Sequence, residues 1–107
     1  MPAYVISEVT VLDEEQADAY RELAAASIEK HGGRYLSRGR RPDAVEGAWP
    51  DEARLIIVEF PDLDAARRWY DSPEYAEALA LRATAIDRRL LFVDGGSGGG
   101  GDRGGGA

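Results

Sequence analysis

The sequence predicts an α+β fold whose elements run in the order β-α-β-β-α-β. Three observations predict it. Strand-like runs occur at residues 3–12, 34–38, 54–60 and 89–93, amphipathic helical spacing fills the stretches after Asp13 and Asp62, and glycine or proline marks the junctions.

Strand one is rich in β-branched and aromatic residues (Tyr4, Val5, Ile6, Val9, Thr10, Val11). Asp13 followed by Gln16 reads as an N-cap and capping box, because both side chains can satisfy backbone N–H groups that the first helical turn leaves open. The helix places Tyr20, Leu23, Ala24, Ser27, Ile28 and His31 on one face, and Gly32-Gly33 ends it. Strand two follows, then a loop from Gly39 to Glu52 that carries Pro42, Gly47 and Pro50. Residues 54–60 (Arg-Leu-Ile-Ile-Val-Glu-Phe) form the clearest strand. Asp62 caps a short helix through Trp69 and Tyr70, and Ser72-Pro73 restarts it, since serine is a good N-cap and proline lacks only an N–H that the first turn cannot use. Tyr75, Ala78, Leu79, Arg82 and Ile86 then share a face, and residues 89–93 close the pattern as strand four. This order is the ferredoxin-like split βαβ arrangement, with a four-stranded antiparallel sheet expected.

The chain of 107 residues has room for one core. Residues 1–94 form the expected domain. Residues 95–107 hold nine of the thirteen glycines and no large apolar side chain, which predicts a disordered tail. A net charge of −7 argues against nucleic acid or an anionic membrane as partner. Arg34, Arg38, Arg40 and Arg41 are a local exception, read as a solvated arm or a rim between subunits rather than an anion site. There is no cysteine and a single histidine, so thiolate and imidazole metal sites are not expected, although carboxylates alone can hold a hard cation. No cofactor is expected. The N-terminus has no secretory pattern and no apolar run is long enough to span a bilayer, so the expected location is cytoplasmic.

Two helical segments cover only one face of a four-stranded sheet. A sheet with one wet face should alternate apolar and polar residues, yet Leu55-Ile56-Ile57-Val58 and Leu90-Leu91-Phe92-Val93 are apolar on both faces. Such a face needs cover, and a second copy of the chain is the expected cover, which makes a homodimer the expected assembly. The alternative is a monomer whose 39–53 loop, with Trp49, folds over that face.

Four phrases carry a resemblance: Gly33-Arg34-Tyr35-Leu36-Ser37-Arg38-Gly39, Glu46-Gly47-x-Trp49-Pro50, Val58-Glu59-Phe60-Pro61, and Trp69-Tyr70-Asp71-Ser72-Pro73-Glu74-Tyr75 with Arg82 after it. Together and in this order they resemble the domain-of-unknown-function 1330 family, of the dimeric α+β barrel superfamily. The resemblance implies that fold but no single reaction. The superfamily spans cofactor-free monooxygenases, isomerases, cyclases, haem-binding enzymes and proteins of no known activity. The family's recurrent polar positions fall here on Arg38, Glu59 and Arg82, with Trp69, Tyr70 and Tyr75 as aromatic companions.

The catalytic candidates are Glu59, Arg38 and His31. Glu59 and Arg38 lie in adjacent strands, either as a general base with an enolate-holding guanidinium or as a structural ion pair. His31 is a candidate proton carrier, but it also suits the negative end of a helix dipole. Tyr4, Tyr35, Trp69, Tyr75 and Arg82 are the ligand-binding candidates, because several tyrosines in a small core imply a cavity with polar lining. Arg82 serves equally as a bridge to Glu59. The expected function is a cofactor-independent enzyme of proton-transfer chemistry on a small metabolite. A non-catalytic dimeric binder of an aromatic or apolar metabolite is the alternative, and a haem binder using His31 is a third.

Overall fold

The computed structural model describes residues 1–95, so the glycine-rich segment expected to be disordered lies, apart from Gly95, outside the described residues. Seven elements follow one another: β1 (Ala3–Val11), α1 (Glu14–Lys30), β2 (Arg34–Arg40), β3 (Arg54–Phe60), α2 (Leu63–Tyr70), α3 (Pro73–Ala85) and β4 (Ile86–Asp94). The strands form one sheet in the order β2-β3-β1-β4, with every neighbouring pair antiparallel. This is the ferredoxin-like fold that the sequence predicts.

Local chemistry explains the boundaries. Asp13 accepts a hydrogen bond from the Gln16 N–H at 3.0 Å, as an N-cap should. The capping box is only half made, because the Gln16 side chain accepts instead from the Thr84 hydroxyl and so ties α1 to α3. At the other end Gly32 takes φ +84°, and the Gly32 and Gly33 N–H groups reach back to Glu29 and Ile28. That 6→1 and 5→2 pairing is a Schellman stop, which favours glycine at the left-handed position. Asp62 and Ser72 cap α2 and α3 by accepting from Ala65 and Tyr75 N–H groups at 2.7 and 3.1 Å.

One correction concerns the end of α3. Ile86 does not continue its apolar face. The helix stops at Ala85 and β4 begins three residues earlier than the sequence spacing suggests. The Leu12 and Asp13 N–H groups both donate to the Ala85 carbonyl, pinning this junction beside the end of β1.

The core lies between one sheet face and the three helices. Val5 and Val9 of β1 and Val58 and Phe60 of β3 point into it, meeting Ala17, Ala24 and Ile28 of α1 and Trp69 of α2. Trp69 is central: it stacks on Tyr75 at 4.3 Å and Phe60 at 5.5 Å between ring centroids, and its indole N–H donates to Ser27 at 2.9 Å.

The other sheet face carries Tyr4, Ile6, Leu55, Ile57, Leu91 and Val93. The register places Ile6 opposite both Ile57 and Leu91, so these three make an apolar row across the sheet. Leu91 and Val93 remain 47% and 41% exposed. Trp49 in the 39–53 loop donates its indole N–H to Ala53 within the same loop. No helix of the described residues is long and apolar enough to cross a membrane.

Candidate functional site

A cavity of about 60 Å³ lies between the helices and the sheet, bounded by Val5, Ser7 and Val9 of β1, Tyr20 of α1, Tyr35 of β2 and Arg88 of β4, among others. Its walls are mostly aliphatic. Strand alternation puts Arg88 there, since Ile86, Arg88, Leu90 and Phe92 face the helices while Asp87, Arg89, Leu91 and Val93 face away.

A guanidinium in an apolar wall is costly unless its N–H groups find acceptors. Arg88 donates from Nη1 to the Tyr20 hydroxyl at 2.6 Å and from Nη2 to the Tyr75 hydroxyl. The two hydroxyls also bond each other at 2.7 Å. The guanidinium carbon lies 5.6 and 5.8 Å from the two ring centroids, within cation–π range. Burial, reinforced by Tyr75, pushes the Tyr20 hydroxyl far above its ordinary pKa, with Arg88 opposing. The Tyr20 phenol is therefore neutral at pH 7. Of the two hydroxyl protons, one is spent on the mutual bond, and Arg88 keeps three of its five N–H donors. The site is stocked with donors, and among the described residues no carboxylate or imidazole lines its wall.

Three polar members of this wall, Arg88, Ser7 and Arg21, do not stand out in the sequence pattern. Arg88 escapes the pattern because the strand-like apolar run begins only at residue 89. Extending the alternation back to Ile86 would have shown a charge in the inward series. Ser7 occupies an inward position between Val5 and Val9 and is 4% exposed. Its place in an otherwise apolar row was the available signal.

The structure distributes the predicted residues over several places. Tyr35 and Trp69 line the cavity and Tyr75 completes the donor set. Burial raises the Tyr35 pKa, with nearby Arg38 opposing. Arg38 and Glu59 are not a pair. Glu59 stands on the open sheet face opposite Tyr4, and accepts from Arg34 Nε at 2.7 Å. Arg38 stacks on the Tyr35 ring at 4.4 Å, on the helix side. The reason is a bulge between Tyr35 and Ser37, after which Arg38 falls opposite Ile56 rather than on the face of Glu59. A second irregularity at Gly39, where φ is +90°, lets the strand turn on towards Arg40. Arg82 is half-buried on α3 and makes no bridge to Glu59. The arginine cluster is also dispersed, with Arg34 on Glu59, Arg38 on Tyr35 and Arg41 on Asp51. Among the described residues no group of three or more His, Cys, Asp or Glu side chains could hold a metal ion.

His31 caps the end of α1 and meets Glu74 of α3, Nε2 to Oε1, at 3.0 Å, and Lys30 Nζ reaches the same carboxylate at 2.9 Å. The bonds from His31 and Lys30, with a backbone N–H, pull the Glu74 pKa from 4.5 down to about 2. A carboxyl held lower in the folded state binds its proton more readily when unfolded. Its stabilising contribution is therefore present above pH 4.5 and lost as the pH falls towards 2. Thermal melting across that window should show a smaller loss of stability in Glu74→Gln than in the parent. Identical pH profiles for the two proteins would remove Glu74 from this role.

Comparison with known proteins agrees with this fold. Residues 2–96 match the family described as Domain of unknown function (DUF1330). No curated protein sequence matches the chain. Among solved structures, RPA0582 of Rhodopseudomonas palustris, a protein of unknown function, is similar at TM-score 0.72 and 21% identity, covering 90% of this chain and 83% of its own. SnoaB of Streptomyces nogalater, a cofactor-independent oxygenase, is similar at TM-score 0.63 and 16% identity, covering 85% and 89%. Rv0793 of Mycobacterium tuberculosis is similar at TM-score 0.55 and 17% identity, covering 91% and 95%.

Proposed function

Because the chain belongs to the DUF1330 family, which assigns no reaction, we propose a function from the cavity: a cofactor-independent enzyme performing proton transfer on a small metabolite. One observation carries the reading, the Tyr20–Tyr75–Arg88 donor set at a mostly aliphatic enclosure. Donors aimed at an oxygen stabilise negative charge that develops on it, and do so best where water is excluded. The unspent phenol proton can be handed on in the same step. With no base in the wall, the site suits a substrate acidic enough to release its proton to solvent water, such as a 1,3-dicarbonyl compound or a hydroquinone, the donor set then holding the resulting oxyanion. SnoaB, described as a cofactor-independent oxygenase on the same fold, supports this class of chemistry. Whether the outcome is isomerisation, cyclisation or oxygenation then depends on the substrate.

A chelator-treated preparation, offered a panel of 1,3-dicarbonyl compounds and hydroquinones, should turn over at least one without added cofactor. Tyr75→Phe should lower kcat by about 10²-fold or more while the far-UV spectrum is kept. Substrates recovered unchanged with a bound ligand retained would overturn the enzyme reading. They would favour the second reading, a non-catalytic binder, which the absence of a carboxylate or imidazole from the wall also supports.

The reading includes a second copy of the chain. The Ile6–Ile57–Leu91 row and exposed Val93 form an apolar surface that two sheets packed face to face would bury.

A further inference from the structure

We propose that the cavity selects an anion, with spare Arg88 N–H groups and the Ser7 hydroxyl receiving the carboxylate of a small ligand whose body extends towards the adjoining hollow, and with the free phenol proton left for the reacting oxygen. The proposal rests on the cavity being a ligand site, as argued above, and adds the charge of what enters it.

The first support is an uncompensated cation. Among the described residues Arg88 pairs with no carboxylate, and its only polar partners are two phenol hydroxyls. The Tyr20 hydroxyl, held neutral by burial, supplies no counter-charge. An arginine is ionised at any physiological pH, so the positive charge stays in the wall. A bound anion would compensate it.

The second support is independent. The Ser7 hydroxyl is 4% exposed, lines the same cavity and has no hydrogen-bond partner among the described residues. A buried hydroxyl without a partner is destabilising, and such groups in folded proteins generally await a water or a ligand. Ser7 lies opposite Leu90, and Arg88 opposite Val9, so the two residues sit diagonally on neighbouring strands. Hydroxyl and guanidinium can therefore serve one ligand oxygen pair.

Size and surroundings narrow the class. About 60 Å³ admits a carboxyl group or a few waters, not a whole drug-sized ligand. An adjoining hollow of about 330 Å³ shares Val9, Arg21, Tyr35 and Ile56 with the cavity, and can take the remainder of a larger molecule. That hollow is bordered by Arg21, Arg38 and Arg54 against a single acidic residue, Glu14, and while Arg21 pairs with Asp18 outside the lining, Arg38 and Arg54 have no carboxylate partner among the described residues. In a chain of net charge −7 this local excess of cations runs against the whole, and it draws anions towards the cavity.

The test uses the full chain and three probes of one shape and different charge: benzoate, benzamide and benzylamine, titrated calorimetrically at low salt. Benzoate should bind at least about tenfold more tightly than either of the others, as a charge-assisted pair requires. Ser7→Ala should weaken benzoate severalfold with an unchanged or higher melting temperature, since the change removes an unsatisfied hydroxyl. Arg88→Met should erase the preference for benzoate over benzamide. Benzamide binding as well as benzoate to the parent, or Ser7→Ala leaving benzoate unaffected, would overturn the anion inference while the ligand site stands. Failure of all three probes to bind would remove both.

Discussion

Trp69→Ala should lower the free energy of unfolding by about 3–5 kcal/mol, the range for deleting a buried large aromatic. The residue is 2% exposed and touches three parts of the core. Its ring meets Phe60 of β3 and Tyr75 of α3, and its N–H holds Ser27 of α1. The short α2 helix is otherwise held by Ala65 and Ala66, its other buried residues, and by Tyr70, whose ring meets Tyr75 and Phe92. Domains of this size have total stabilities of about 5–15 kcal/mol, so the change consumes a large share. Urea denaturation would read it as a lower midpoint. Trp69→Phe keeps one aromatic ring and removes the bond to Ser27 with part of the indole volume, so it should be the milder change. It should cost about 1–2 kcal/mol. A Trp69→Ala midpoint equal to that of the parent would show that α2 is not held by this ring.

Ile57→Glu should convert a dimer into a monomer at micromolar concentration. Ile57 lies in β3, an inner strand, on the face that carries Ile6 and Leu91. Two apolar sheets packed together would bury that position twice, once from each copy. An unpaired carboxylate there costs about 3–5 kcal/mol, which corresponds to a change of about 10²–10⁴-fold or more in Kd. The side chain points away from the helices, so the core on the other face is untouched and far-UV circular dichroism should be retained. Sedimentation velocity would show the mass fall from twice the chain mass to once. A parent protein that sediments as a single chain would contradict the dimer outright.

Much of this architecture was legible because it rests on short-range chemistry. Asp13, Asp62 and Ser72 cap the helices they were expected to cap, since a side-chain oxygen before a helical run has few other uses. The break between α2 and α3 was visible in Asp71-Ser72-Pro73 for the same reason. Legibility ended where parity between elements decided the answer. Moving the start of β4 back to Ile86 turns Arg88 inward, and one extra residue near Leu36 carries Arg38 away from Glu59. A strand has period two, so a single-residue shift exchanges its faces. Glu59, Arg38 and Arg82 are each polar residues in apolar surroundings, yet only pairing registers show that they do not meet. Ser7 was overlooked because a small hydroxyl hardly disturbs an apolar strand pattern. Its significance comes from what surrounds it in three dimensions.

A ligand of the proposed kind enters between helices and sheet rather than on the open face. Nuclear magnetic resonance titration with benzoate tests this directly, following the Arg88 Nε–H, the Trp69 indole N–H and the methyl groups of Ile57 and Leu91. Movement of the Arg88 and Trp69 signals with the Ile57 and Leu91 methyls unmoved is the predicted result. Shifts confined to Ile57, Leu91 and their neighbours would contradict it.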